Sequence, residues 1–103
     1  MPIFRLHEVR QILGQTDAKL WVVPQTFRRF DFAEMVNTMR QERPQMQVWS
    51  YGPDVAPDQN FHQLLVDTPA DVLPVSGVSY DQIAEIVFTS GTTGRPKGVV
   101  HSH

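Results

Sequence analysis

Residues 89–98 read Thr-Ser-Gly-Thr-Thr-Gly-Arg-Pro-Lys-Gly, and this stretch constrains the chain more than any other. It follows an apolar run (Ile83, Ile86, Val87, Phe88) and is closed by a second apolar pair, Val99 and Val100. Glycine without a Cβ and short hydroxylated residues make a loop, because the backbone bends there without steric penalty. The chain must therefore arrive on one apolar element, turn through a glycine-rich loop and leave on another. The composition of that loop is also chemical. Gly91, Gly94 and Gly98 let backbone N–H groups approach an anion. The hydroxyls of Thr89, Ser90, Thr92 and Thr93 rotate to donate. Lys97 brings a mobile point charge matched to phosphate oxygens. A hydrogen bond to a charged group contributes about 1.5–3 kcal/mol, and several converging would hold a triphosphate.

Two simpler readings fail. A solvated surface hairpin with glycine turns does not call for this density of hydroxyl, glycine and cation in ten residues. A P-loop requires G-x-x-x-x-G-K-[ST]. Counted from Gly91, that spacing puts Pro96 where the second glycine belongs, and Lys97 is followed by Gly98 rather than a metal-binding hydroxyl.

The stretch instead resembles the signature of the adenylate-forming superfamily, which includes acyl-CoA synthetases, luciferases and peptide-synthetase adenylation domains. The fit runs without a gap from Thr89 to Gly98, and the approach 81–85 and the exit Ser102-His103 are similar to the family as well. Upstream, Pro2-Ile3-Phe4-Arg5, Glu8-Val9, Ile12-Leu13, Val23-Pro24 and Phe27-Arg28-Arg29-Phe30-Asp31-Phe32 resemble acyl-CoA synthetases of the cyclohexanecarboxylate or medium-chain fatty acid type.

Composition bounds the rest. At 103 residues the chain is one small domain at most. A net charge of −2 gives no basic surface for nucleic acid and no acidic tail. With no cysteine there is no disulfide scaffold and no thiolate zinc site, which is compatible with the cytoplasm. His7, His62, His101 and His103 have no helical metal spacing, so no metal site is assigned. No apolar run approaches the roughly 20 residues of a membrane span, and the N-terminus lacks the apolar core of a signal peptide.

Taken in order, residues 5–13 read as a helix with Leu6, Val9, Ile12 and Leu13 on one face and Gly14 as its stop. Lys-Leu-Trp-Val-Val at 19–23, closed by Pro24, reads as a strand buried on both faces. Residues 32–42 form a helix capped by Asp31, with Glu34 in capping-box position, Phe32, Met35, Val36 and Met39 as its stripe, and Pro44 beyond. Arg28 and Arg29 read as a solvated pair. A second strand spans 46–51, and Asn60 caps a short helix carrying Phe61, Leu64 and Leu65. Prolines and small residues from 67 onward read as an irregular connection, after which 81–88 leads into a third strand and the loop. The expected organisation is a βα-type segment (1–66), an irregular connection (67–80) and a strand with the signature loop (81–103). The expected class is α/β, a partial layer of parallel strands with crossover helices, whose ligands sit beyond the strands' carboxyl ends.

The resemblance implies that this layer is an incomplete slice of a family enzyme's large N-terminal domain. It implies an acid–CoA ligase: ATP and a carboxylic (fatty) acid form an acyl-adenylate and pyrophosphate, and coenzyme A then displaces AMP. Magnesium accompanies the ATP. By position, Thr89, Ser90, Gly91, Thr92, Thr93 and Lys97 would contact the phosphates, Gly94 and Gly98 would shape the loop, Pro96 would stiffen it, and Arg95 would have no catalytic part. The family's catalytic lysine, acidic metal ligand and acyl pocket correspond to nothing here, so no catalytic residue is assigned and the chain alone is expected to be inactive. The alternative is a non-catalytic module that binds a nucleotide or phosphate, or serves as an interaction domain.

Overall fold

The computed structural model describes residues 4–72, 77–89 and 94–103. The chain divides into two compact units, Met1–Ala70 and Asp71–His103.

The first unit opens with α1 (Leu6–Thr16), which buries Val9 and Leu13. Glu8 starts it by accepting the Arg5 backbone N–H at 3.0 Å. This is one half of a capping box, since arginine has no acceptor for the other half. The backbone N–H groups of Glu8 itself and of Arg5 hold the Glu8 carboxyl below its ordinary pKa. Gly14 does not stop the helix, contrary to the sequence reading. The helix continues to Thr16 and ends at Asp17, which adopts the left-handed conformation (φ 48°). Gly14 lies where Arg43 passes, and a methyl group there would stand 3.2 Å from the guanidinium Nη2.

Strands β1 (Leu20–Pro24) and β4 (Gln47–Tyr51) pair in parallel, from Leu20 opposite Gln47 to Pro24 opposite Tyr51. Burial is one-sided rather than two-sided. Val23 and Val48 are in the core, whereas Leu20 and Val22 are 45% and 38% exposed. Between them the chain makes a hairpin that the sequence reading missed, β2 (Thr26–Phe27) against β3 (Phe30–Asp31). Its turn is Arg28-Arg29, both left-handed (φ 48° and 65°). Two positive-φ residues match the right-handed twist of the flanking strands, but Asn-Gly is the usual choice, so two arginines gave no signal. Aromatic contacts hold the turn in place. The Arg5 guanidinium lies 4.0 Å from the Phe30 ring centroid, Arg28 lies 5.4 Å from that of Phe27, and Phe30 meets Phe32 edge-on at 4.8 Å.

Helix α2 (Ala33–Glu42) crosses back to β4 and buries Met35, Val36 and Met39, three of the four stripe residues expected; the fourth, Phe32, is buried at the N-cap. Asp31 serves its start from one residue further out than expected, its carboxylate accepting the Ala33 N–H at 2.8 Å. Arg10 of α1 holds Glu42 of α2 in a forked ion pair, with Nε 3.0 and 2.9 Å from the two carboxylate oxygens. That guanidinium keeps the Glu42 carboxyl below its ordinary pKa. Asn60 caps α3 (Phe61–Asp67) as expected, accepting from the N–H groups of His62 (2.9 Å) and Gln63 (3.4 Å). The core of the described residues (Phe4, Val9, Leu13, Val23, Phe32, Met35, Val36, Met39, Met46, Val48) lies within this unit.

In the second unit, β5 (Ile83–Thr89) pairs antiparallel with β6 (Lys97–Ser102). The third strand expected from the sequence is thus present, and its partner is antiparallel. Only seven residues separate the two strands, and a connection that short permits only antiparallel pairing, because a parallel partner needs a crossover of a dozen or more residues. The described residues are mixed α/β: helices with a two-stranded parallel sheet, and two antiparallel hairpins.

Candidate phosphate-binding loop

The β5–β6 register sets the geometry at the loop. Ile86 stands opposite Val100, Val87 opposite Val99, Phe88 opposite Gly98 and Thr89 opposite Lys97. Side chains alternate between faces along a strand, and directly opposed residues share a face with Cβ atoms about 4.5–5.5 Å apart. Thr89 and Lys97 therefore stand side by side at the mouth of the loop, both exposed. This puts two hydrogen-bond donors, a hydroxyl and an ammonium, next to each other on one face of the hairpin.

Gly94 lies inside the loop at φ +76°, and among the described residues no heavy atom beyond its chain neighbours comes within 4 Å of where a Cβ would stand. Its glycine identity answers to backbone conformation rather than crowding. Pro96 is buried and fixes its own φ immediately before Lys97, while Arg95 is exposed. Ser90, Gly91, Thr92 and Thr93 lie outside the described residues. Of the expected phosphate-binding set, the structure thus brings Thr89 and Lys97 together and places Gly94 between them along the chain.

Two features went unread in the sequence. Glu85 stands opposite His101, on the face that carries Thr89 and Lys97. Nothing in the order of residues reveals this pairing, because it follows from the register between the two strands, the same register that pairs Thr89 with Lys97. In the first unit, a cavity of about 200 Å³ opens at the carboxyl ends of β1 and β4, lined among others by Gln25, Asn37, Arg40, Ser50 and Asp54. Arg40 is held there by Gln59 Oε1 at 2.8 Å and the Val48 carbonyl at 3.4 Å. Among the described residues no group of three or more His, Asp or Glu is placed to hold a metal ion, and no helix is long and apolar enough to cross a membrane.

The model of the AMP-binding enzyme family matches residues 1–103. The chain belongs to the AMP-binding enzyme family. Among curated relatives, the medium-chain fatty-acid–CoA ligase of Escherichia coli (strain K12) is 26% identical over 106 residues, covering 100% of this chain and 19% of the relative. The crotonobetaine/carnitine–CoA ligase of Citrobacter koseri is 52% identical over 44 residues, which is 43% of this chain and 8% of the relative. The chain thus spans less than a fifth of the length of these relatives. No solved structure matches it.

Proposed function

We propose that this chain supplies the ATP phosphate-binding loop of an ATP-dependent acid–CoA ligase. The paired Thr89 and Lys97 at the mouth of a glycine-containing loop, in a chain of the AMP-binding family, carry the reading. Thr89, Ser90, Gly91, Thr92, Thr93, Gly94 and Lys97 are assigned to the ATP phosphates. The names of the two relatives point to a carboxylic acid, in one case a medium-chain fatty acid, as the group activated and to coenzyme A as its acceptor.

ATP supplies the chemistry: the acid's carboxylate attacks the α-phosphorus, and pyrophosphate leaves as the acyl-adenylate forms. The part of this chain is electrostatic. Negative charge grows on the departing pyrophosphate, and donors already aimed at it stabilise that charge without reorganising. The Lys97 ammonium offers three N–H donors and the Thr89 hydroxyl one more. The left-handed Gly94 and the rigid Pro96 keep the loop in shape. Magnesium would travel on the phosphate oxygens, since the described residues offer hydroxyls rather than a carboxylate cage. With ATP and coenzyme A as partners, the reaction belongs in the cytoplasm.

The test is Lys97→Ala in the full natural polypeptide. One charge-assisted hydrogen bond is worth about 1.5–3 kcal/mol, and Lys97 is exposed, so the lower end applies: about a tenfold loss in ATP affinity by calorimetry. Lys97→Arg should recover part of that loss. Wild-type affinity and wild-type acyl-adenylate formation in Lys97→Ala would remove the reading.

A further inference from the structure

The geometry points to Phe88 as the residue that positions the phosphate-binding loop, through a contact with Gly98 on the hairpin face opposite Lys97. This inference rests on the phosphate-binding reading above and adds to it the residue that sets where Lys97 points.

A glycine in a strand is a weak point, having no side chain to pack and leaving register poorly specified. Gly98 sits next to Lys97 and directly across from Phe88. A one-residue slip at that position would turn Lys97 to the other face of the hairpin and separate it from Thr89. The structure closes this weakness with neighbouring side chains. A methyl group built on Gly98 would stand 3.2 Å from both Cε1 and Cζ of the Phe88 ring and 2.8 Å from Ile86 Cγ2. The ring therefore lies over the bare Cα of Gly98 with no room between them. An aromatic residue laid across a strand glycine is a recognised way to pin register. Here the pinned rung is the last but one before the loop, since Thr89 and Lys97 form the last.

The same packing explains why position 98 is glycine, although its φ is not positive. At Gly94 backbone conformation demands glycine, whereas at Gly98 the Phe88 ring and Ile86 methyl demand it. Phe88 touches no phosphate in this scheme. It faces away from Lys97 and acts on it through the backbone of the Phe88–Gly98 rung.

The experiment compares ATP and adenosine binding by calorimetry in the full natural polypeptide for wild type, Phe88→Ala, Phe88→Tyr, Gly98→Ala and Lys97→Ala. Phe88→Ala should weaken ATP about tenfold, the loss of one charge-assisted bond, while leaving adenosine unchanged. Phe88→Tyr keeps the ring over Gly98 and should bind ATP as wild type does. Gly98→Ala should weaken ATP as well, and by less when Phe88 is already alanine, because one of the two groups crowding the new methyl is then gone. A merely structural role predicts equal losses for ATP and adenosine, or a loss with Phe88→Tyr too, and either result overturns the inference. If Lys97→Ala selectively weakens ATP and Phe88→Ala does not, the positioning role alone is lost. If Lys97→Ala has no effect, the phosphate-binding reading falls with it. Should Phe88→Ala fail to fold, the Gly98→Ala and Phe88→Tyr pair still decides: wild-type ATP affinity in Gly98→Ala refutes the packing argument.

Discussion

Met39 is 0% exposed, the lowest value in the hydrophobic core of the described residues, and it is the last residue of the α2 stripe that packs into the first unit's core. Met39→Ala removes Cγ, Sδ and Cε from a site that no water reaches. Burial of a methionine side chain is worth about 1.5–3 kcal/mol by transfer, and the space left behind adds to the loss. Buried methionine-to-alanine changes therefore cost about 2–5 kcal/mol. At about 1.4 kcal/mol per decade, amide exchange through opening of this unit should accelerate by a factor of about 30 to several thousand. The assay is hydrogen exchange read by mass spectrometry on peptides from α2, β1 and β4, with Met39→Leu and Val66→Ala as controls. Met39→Leu conserves volume and should stay within about 1.5 kcal/mol. Val66 is 65% exposed on α3, so its truncation should leave exchange in α2 unchanged. The reasoning is refuted if Met39→Ala exchanges no faster than Met39→Leu, or if acceleration is confined to the turn of α2 that bears the substitution, since a shared core must loosen all three elements together.

Two further outcomes follow from the first unit. Replacing Arg28-Arg29 by Asn-Gly suits the two left-handed positions of the β2–β3 turn and should relieve about 1 kcal/mol per residue of backbone strain, offset in part by the lost Arg28 contact with Phe27; a net slowing of exchange in β2 and β3 checks it. For Glu8, whose folded carboxyl titrates below its ordinary 4.5, the stabilising effect is complete above that value and is lost as pH falls through the lower folded value. Exchange at the first turn of α1 should therefore rise on acidification below about pH 4.5, and Glu8→Gln should remove that added pH dependence.

Much of the first unit is legible from local chemistry. Asn60 caps α3 because an asparagine side chain satisfies backbone donors within its own turn, a contact that needs no distant partner. The α2 stripe is visible because Met35, Val36 and Met39 recur at helical spacing, and Pro44 marks the end. Gly14 misled because its substitute at the helix end, a left-handed Asp17, carries no comparable signature, and the neighbour that a side chain at 14 would meet, Arg43, is distant in sequence. The Arg28-Arg29 turn was hidden because its support comes from Arg5, Phe27, Phe30 and Phe32 rather than from turn-forming residues.

The family and the donor groups carried by the loop are legible in the order of residues alone. Glycines, hydroxyls and a lysine in that order resemble one signature over ten residues without a gap, and a signature of residue types survives without coordinates. What only tertiary structure decided is which of those residues meet. That Thr89 faces Lys97, that Glu85 faces His101 and that Phe88 covers Gly98 all follow from the antiparallel register of β5 and β6. Register is a relation between two strands, set by packing across the hairpin. A strand's own order of residues says which side chains share a face, but not which residue of its partner each will meet.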